Sequence, residues 1–271
     1  MASIQALKTQ HLIKRLLLTT FYLTLFHNTA YADATLVYFS EEGPQKIAVK
    51  NGKALIKTKD QNDLLFDAQT NTVTLIQHKQ KSFSLVDEKA LKSLSTQISG
   101  IQSAIASQLA NLPSEQRAQL EAFLGAQLNQ QAEKTPVSYS IKSAGTASHN
   151  TIQCSKSTIL ENGSPVGEIC FASAKQVGLN EQDFNTFITL QKFMMNAVDI
   201  MQDSIGKMTQ VKIPNFKSLD TNQVIVSGVF TDSQESKISL ESVNLQAINT
   251  ALVVPQGYIE KDITSLESLI K

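Results

Sequence analysis

The composition of the chain excludes several classes of function before any motif is considered. The 271 residues include no tryptophan and only two cysteines, and Arg117 is the only arginine after residue 15. Because the planar fork of arginine is the group that best recognises phosphates and base edges, this composition argues against nucleic-acid binding. The sequence also lacks the motifs GxSxG, HExxH and GxGxxG and a phosphate loop. We therefore predict a non-catalytic protein without a cofactor, and a hydrolase without a recognisable motif stays open as an alternative.

No apolar run in the sequence is long enough to span a membrane as a stable helix. The most apolar stretch, residues 16–26, follows three positive charges and precedes a small-x-small site at residues 30–32. A charged start, a short apolar run and such a site, in this order, are typical of a secretory signal peptide. We predict a signal peptide at residues 1–32 and a periplasmic or secreted chain, residues 33–271, that does not span the membrane.

The two cysteines lie in strand-like stretches on either side of a turn. Asn162-Gly163 favours a tight hairpin, which places Cys154 and Cys170 roughly opposite each other. In an oxidising compartment, an even number of cysteines predicts a disulfide. A zinc site is disfavoured because it needs about four ligands at characteristic spacing. A cysteine nucleophile would need a histidine near it, and His149 keeps that alternative open.

The first third of the predicted mature chain has the pattern of an antiparallel meander. Residues 35–86 contain six short stretches of alternating apolar and polar residues. Asn51-Gly52, between the second and the third stretch, is the strongest short hairpin signal in the sequence. The alternation indicates strands with one face on a core and the other in water.

Residues 88–132 predict a helical insertion of two amphipathic helices. In the first helix, apolar residues recur every three or four positions, and Pro113 ends it and starts the second. Residues 129–136 predict a polar linker. The insertion either covers the sheet or forms an arm that binds a partner, and both interpretations stay open.

A second helix-rich region follows the cysteine hairpin. Asn180 and Asp183 predict the capped start of a helix that is rich in methionine and phenylalanine. Such side chains can line an adaptable apolar cavity, and they can equally form an ordinary core. The candidate ligand-binding residues are Phe184, Phe187, Met194 and Met195.

The remaining sequence predicts more strands and a short helix. Residues 136–173 contain a strand before the cysteine hairpin, and residues 222–246 contain a second hairpin. A late strand at residues 252–263 is interrupted by Pro255, and residues 263–271 predict a short closing helix. Strands and helices that are segregated along the chain indicate an α+β fold in a single domain, residues 33–271.

Several segments resemble a bacterial family of secreted domains of unknown function, which is itself distantly similar to the lipoprotein-localisation carriers of the LolA/LolB type. The segments are DAQTNTVTLIQHKQKSF, LPSEQRAQLEAFLG, SAGTASHNTIQCSKSTILENGSPVGEICFASAKQVGL and VVPQGYIEKDI. The resemblance implies a curved antiparallel β-sheet, an incomplete barrel, with helices covering its concave face. It also implies a lipid or another apolar ligand. No match to the gating arginine of the carriers is present, so transport of acylated lipoproteins is not implied.

These observations lead to one functional expectation and one alternative. We expect an exported, non-catalytic binding protein of the cell envelope that holds a lipid or other apolar ligand in a half-barrel cavity. The alternative is a protein-interaction or envelope-assembly factor that binds an envelope protein through the helices of residues 88–132.

Overall fold

A computed structural model describes residues 33–41, 43–58, 62–114, 116, 139–209, 222–231 and 235–263. All of these residues belong to one compact unit that begins at Asp33. The strands are β1 (Ala34–Ser40), β2 (Gly43–Lys50), β3 (Lys53–Lys57), β4 (Asn62–Asp67), β5 (Thr72–Gln77), β6 (Ser82–Val86), β7 (Tyr139–His149), β8 (Ile152–Glu161), β9 (Ser164–Ala172), β10 (Val224–Thr231), β11 (Glu235–Asn244) and β12 (Ile259–Glu260). The helices are α1 (Glu88–Ala110), α2 (Ala174–Val177) and α3 (Glu181–Thr209).

The strands form a single curved sheet that does not close. Their order is β12-β6-β5-β4-β3-β2-β1-β11-β10-β9-β8-β7. Neighbouring strands are antiparallel except β12 and β6, which are parallel. The predicted α+β class and the curved, incomplete barrel are therefore confirmed.

Local turn chemistry determines the first meander. Asn51 and Gly52 have φ angles of 50° and 76°, so both occupy the left-handed region that a two-residue hairpin of type I′ needs. Lys50 and Lys53 are the register partners that flank this turn. The six strands predicted for residues 35–86 are observed as β1 to β6.

The main hydrophobic core lies between α3 and the face of the sheet formed by alternate strand residues. In β1 these residues are Ala34, Leu36 and Tyr38, which are all buried. Leu36 is completely buried, and burial of a side chain of this size stabilises the fold by about 1.5–3 kcal/mol. The helix contributes four buried side chains to this core: Phe187, Ile188, Leu190 and Phe193.

Helix α1 begins at a side-chain cap and packs against α3. The Asp87 carboxylate accepts a hydrogen bond from the backbone N–H of Ala90 at 2.7 Å, as expected of an N-cap. The Ser95 hydroxyl donates to the backbone oxygen of Ile200 at 3.1 Å, which links the two helices. The first predicted helix of the insertion is thus present. Residues 117–128 of the second predicted helix and the linker at 129–136 lie outside the described residues.

The start of α3 confirms the predicted cap. The backbone N–H of Asp183 donates to Asn180 Oδ1 at 2.9 Å, and Asn180 Nδ2 donates to Asp183 Oδ2 at 2.6 Å. The first bond satisfies a backbone N–H that the first turn of a helix leaves without an intrahelical partner, and the second joins the two side chains. They fix the point at which α3 begins on the sheet.

The C-terminal region differs from its prediction. Of the strand predicted at residues 252–263, only β12 forms, and it pairs in parallel with β6. The preceding residues cross the face of the sheet opposite α3, where Leu252 packs against Leu65 and Ile76. We call residues 245–261 the C-terminal strap. Of the closing helix predicted for residues 263–271, only residue 263 is described. Residues 264–271 lie outside the described residues.

Candidate functional site

Two of the four predicted ligand-binding residues belong to the main core. Phe187 is 5% exposed, and its ring stacks on that of Tyr38 with a centroid distance of 6.2 Å and an interplanar angle of 6°. Phe184 is partly buried and packs against the same core. A ligand could reach Phe187 only if this packing opened.

The other two predicted residues do not belong to the main core. Met195 packs against a small cluster on the far half of the sheet, and Met194 is 39% exposed. We call this group the wing cluster. Its buried members are Ile159, Ile169 and Phe171, and its partly buried members are Tyr139, Ile141, Val166, Met195, Ile225 and Phe230. The structure therefore places Phe184 and Phe187 at the main core and Met195 at the wing cluster, whereas Met194 is an exposed residue of α3 that belongs to neither group.

Strand β9 contributes to both apolar surfaces. Cys170 and Ala172 belong to the main core, whereas Ile169 and Phe171 belong to the wing cluster. The pairing of β9 with each of its two neighbouring strands is irregular. The register shifts after Ile159 in β8, and it shifts between residues 225 and 227 in β10. Residues 169 to 172 alternate between the two apolar surfaces, because successive side chains of a strand point to opposite faces of the sheet.

The two cysteines form a disulfide bond. Their sulfur atoms are 2.08 Å apart, and the Cα atoms are 5.6 Å apart. The register partner of Cys170 is Lys156, two residues beyond Cys154, so the bridge is diagonal across β8 and β9. Both residues are almost completely buried. The predicted pairing is confirmed, and in this oxidised form neither sulfur can serve as the nucleophile that His149 would have activated.

Tyr38 has a polar role inside the main core. Its hydroxyl donates a hydrogen bond to the backbone oxygen of Ile225 at 2.9 Å. Burial raises the pKa of this phenol, so Tyr38 stays a neutral donor. The bond joins β1 to β10 across the intervening strand β11.

A polar cluster lies where β1 begins. The Asp33 carboxylate accepts a hydrogen bond from the backbone N–H of Ile248 at 2.6 Å and lies 3.0 Å from Lys50 Nζ. Lys50 Nζ also donates to the backbone oxygen of Ile248. The cluster therefore fastens the C-terminal strap to the first two strands.

A second polar cluster fastens the end of the same strap. His78 Nδ1 lies 2.8 Å from the Tyr258 hydroxyl, and His78 Nε2 lies 3.0 Å from Asp63 Oδ2. The partners are distant in sequence and carry no common motif, so sequence reasoning missed both strap clusters. No local signal could have revealed them.

The described residues contain no group of three or more His, Cys, Asp or Glu side chains that could hold a metal ion. Among the described helices, none combines the length and the apolar character that a membrane span requires.

Comparison with known proteins identifies no family for this chain. No protein-family model matches it, and no curated protein is similar to it at a significant level. Among solved structures, it is similar to an uncharacterised conserved protein from Thermus thermophilus, with 6% sequence identity and a TM-score of 0.38. That match covers 90% of this chain and 98% of the other.

Proposed function

We propose that this protein is an exported, non-catalytic binding protein that holds a lipid or another apolar ligand. The observation that carries the proposal is the position of Met195 at the wing cluster. There, partly buried apolar side chains of β7, β9 and β10 lie with this partly buried methionine of α3. Ligand sites of this type are lined mainly by apolar side chains with few polar groups.

The chemistry of the wing cluster suits a flexible apolar chain. Methionine is unbranched and polarisable, so it adapts to ligands of different shape. Each methylene group that a ligand buries contributes about 0.8 kcal/mol, so a long acyl chain, rather than a few methylenes, would be needed to offset the cost of association. In the main core, by contrast, the ring of Phe187 is stacked on that of Tyr38.

Two features support the exported location that forms part of the proposal. The buried disulfide is of the kind that persists in an oxidising compartment. The compact unit begins at Asp33, directly after the small-x-small site of residues 30–32. The curved, open sheet best suits a more specific form of this proposal, in which the protein is a periplasmic carrier distantly similar to the LolA/LolB type.

Lipid extraction from protein purified out of its native envelope tests the proposal. We expect mass spectrometry to find a lipid in stoichiometric amount, and Met195→Glu to abolish its retention. Phe39→Ser is the matched control, because it removes an exposed apolar side chain of β1 that belongs to neither cluster. Protein that contains no lipid, and that binds no fluorescent fatty acid after refolding, would contradict the proposal.

A second candidate function is protein binding by α1. Ile101 and Ile105 are 41% and 40% exposed and lie one turn apart on the same face of the helix. A photo-reactive residue at either position should capture an envelope protein in living cells, whereas one at the exposed Ser103 should not. Equal yields at all three positions would show that the capture is unspecific.

A further inference from the structure

Most charged side chains of the strands that form the wing cluster point to the other face of the sheet. Apart from His149, strands β7 to β10 carry four charged residues: Lys142, Lys156, Glu161 and Glu168. Lys156 is the register partner of Cys170, and Glu168 lies two residues before Cys170. Thr158 pairs with both Lys142 and Glu168. Since register partners and alternate residues of a strand share a face, these three charges lie on the face of Cys170, which belongs to the main core.

Glu161 is the exception, because it shares a face with the wing cluster. Its register partner is Tyr139, and Ile159, two residues earlier, pairs with Ile141. All three of these neighbours are members of the wing cluster. The Tyr139 hydroxyl donates a hydrogen bond to Glu161 Oε2 at 3.3 Å. A carboxylate and an aromatic ring therefore lie together at the end of an apolar surface.

Helix α3 adds no net charge next to its methionine in this cluster. Lys192 and Asp199 lie about one turn on either side of Met195, and their opposite charges offset each other. Lys192 Nζ donates to Asn222 Oδ1 at 2.8 Å. Among the described residues of these strands and of this part of α3, the net charge that faces the wing cluster is thus the negative charge of Glu161.

We propose that the wing cluster selects a long-chain ligand whose polar end carries an ammonium group. The inference rests on the proposed function and names the class of its ligand. The chain lies on the apolar side chains beside Met195, and the ammonium group lies at Tyr139 and Glu161. Aromatic rings attract cations through the electron density of their faces, and a carboxylate accepts hydrogen bonds from several donors at once. A fatty acid binds through the same chain contacts, but Glu161 repels its carboxylate.

Three probes with one chain and different ends test this selectivity on the exported protein. The probes are dodecyltrimethylammonium, dodecyl glucoside and dodecanoate, titrated by calorimetry below the concentrations at which they form micelles. We expect the cationic probe to bind about tenfold more tightly than the neutral one. Tetramethylammonium, which has no chain, should not bind at these concentrations, because the chain contacts supply most of the affinity.

The variant Glu161→Gln separates charge from shape. It should lower the affinity for the cationic probe about tenfold, raise that for dodecanoate about threefold, and leave that for the glucoside unchanged. A purely structural effect would shift all three affinities in the same direction. Glu168→Gln is the matched control, because it removes a carboxylate that forms an ion pair with Lys156 on the other face of the sheet. It should change none of the three affinities.

The other results separate this inference from the proposed function. Equal affinities for the three probes, or equal shifts in Glu161→Gln, overturn the selectivity and leave apolar binding intact. Tetramethylammonium that binds as tightly as the long-chain cation overturns the role of the chain. If no probe binds and extraction yields no lipid, the proposed function itself fails.

Discussion

His78 Nδ1 lies 2.8 Å from the hydroxyl of Tyr258, a residue 180 positions later in the chain. The other ring nitrogen lies 3.0 Å from Asp63 Oδ2. A neutral imidazole can form both hydrogen bonds. Its Nε2–H then donates to the carboxylate, and its Nδ1 accepts a hydrogen bond from the tyrosine hydroxyl. His78 therefore connects β4 to the C-terminal strap, which also contributes the edge strand β12.

Replacement of His78 by alanine should loosen the strap. The change leaves Asp63 and the Tyr258 hydroxyl without their partner, and we expect the free energy of unfolding to fall by about 1–3 kcal/mol. Hydrogen exchange followed by mass spectrometry should show faster exchange at Ile259 and Lys261, whose N–H groups bond to the backbone of residues 81 and 83.

A surface ion pair provides the control for this experiment. Lys92 and Glu88 are exposed partners on α1, and Lys92→Ala should change stability by less than about 1 kcal/mol. Unchanged exchange in the strap of the His78→Ala protein would show that Leu252 and its apolar neighbours hold the strap without the histidine.

Loss of the disulfide should destabilise the domain. The bridge closes a loop with a sequence separation of 16 residues, so Cys154→Ala with Cys170→Ala should lower the free energy of unfolding by about 2–4 kcal/mol. The measurement is urea unfolding with and without a thiol reductant. The reductant should lower the midpoint of the native protein and leave that of the double variant unchanged.

The wing cluster allows a test of what the bridge does for binding. The double variant should retain the fluorescent fatty acid under conditions in which it is folded, because Ile169 and Phe171 belong to a different apolar surface from the two cysteines. A variant that folds and no longer binds would show that the disulfide shapes the ligand site and does more than stabilise the sheet.

Asp183 should make the stability of the protein depend on pH. Burial is the largest cause that raises the pKa of this carboxyl in the folded state above its ordinary value of 3.8. Folding therefore favours the protonated form, and this contribution to stability is complete below the unfolded pKa and is lost as pH rises through the folded pKa. Asp183→Asn should flatten that part of the pH profile, as urea midpoints measured from acidic to neutral pH will show. A profile that the substitution leaves unchanged would contradict this prediction.

Local signals predicted a large part of the fold. Asn51-Gly52 and Asn162-Gly163 determine their turns through residues that tolerate positive φ, and Asn180 caps α3 with its own side chain. These interactions involve neighbours in sequence, so the pattern of residues was sufficient to place them. The pairing of Cys154 with Cys170 followed from the same hairpin.

The remainder depends on interactions between distant segments. The stretch around Val253 has the composition of a strand, yet it forms an irregular segment. In this segment Leu252 is buried against Leu65 and Ile76, and it covers apolar side chains of the meander that would otherwise be exposed to water. The sequence also did not predict the register shift in β10, because this shift depends on how β10 pairs with β9. The sequence of α3 likewise does not show which strands each of its residues meets, so Phe184 and Phe187 of the main core and Met195 of the wing cluster appeared equivalent.

The different exposure of two candidate residues on α3 yields a further prediction. Phe187→Ala should lower the free energy of unfolding by about 3–5 kcal/mol, because it empties a buried position beside Tyr38. Met194→Ser changes an exposed residue and should alter stability by no more than about 0.5 kcal/mol, while it weakens binding of a fluorescent fatty acid. Urea unfolding and titration with the probe measure the two effects separately. If Met194→Ser leaves the affinity unchanged and Phe187→Leu, which keeps most of the buried volume, reduces it, the ligand lies within the main core, and the wing cluster is an ordinary part of the sheet surface.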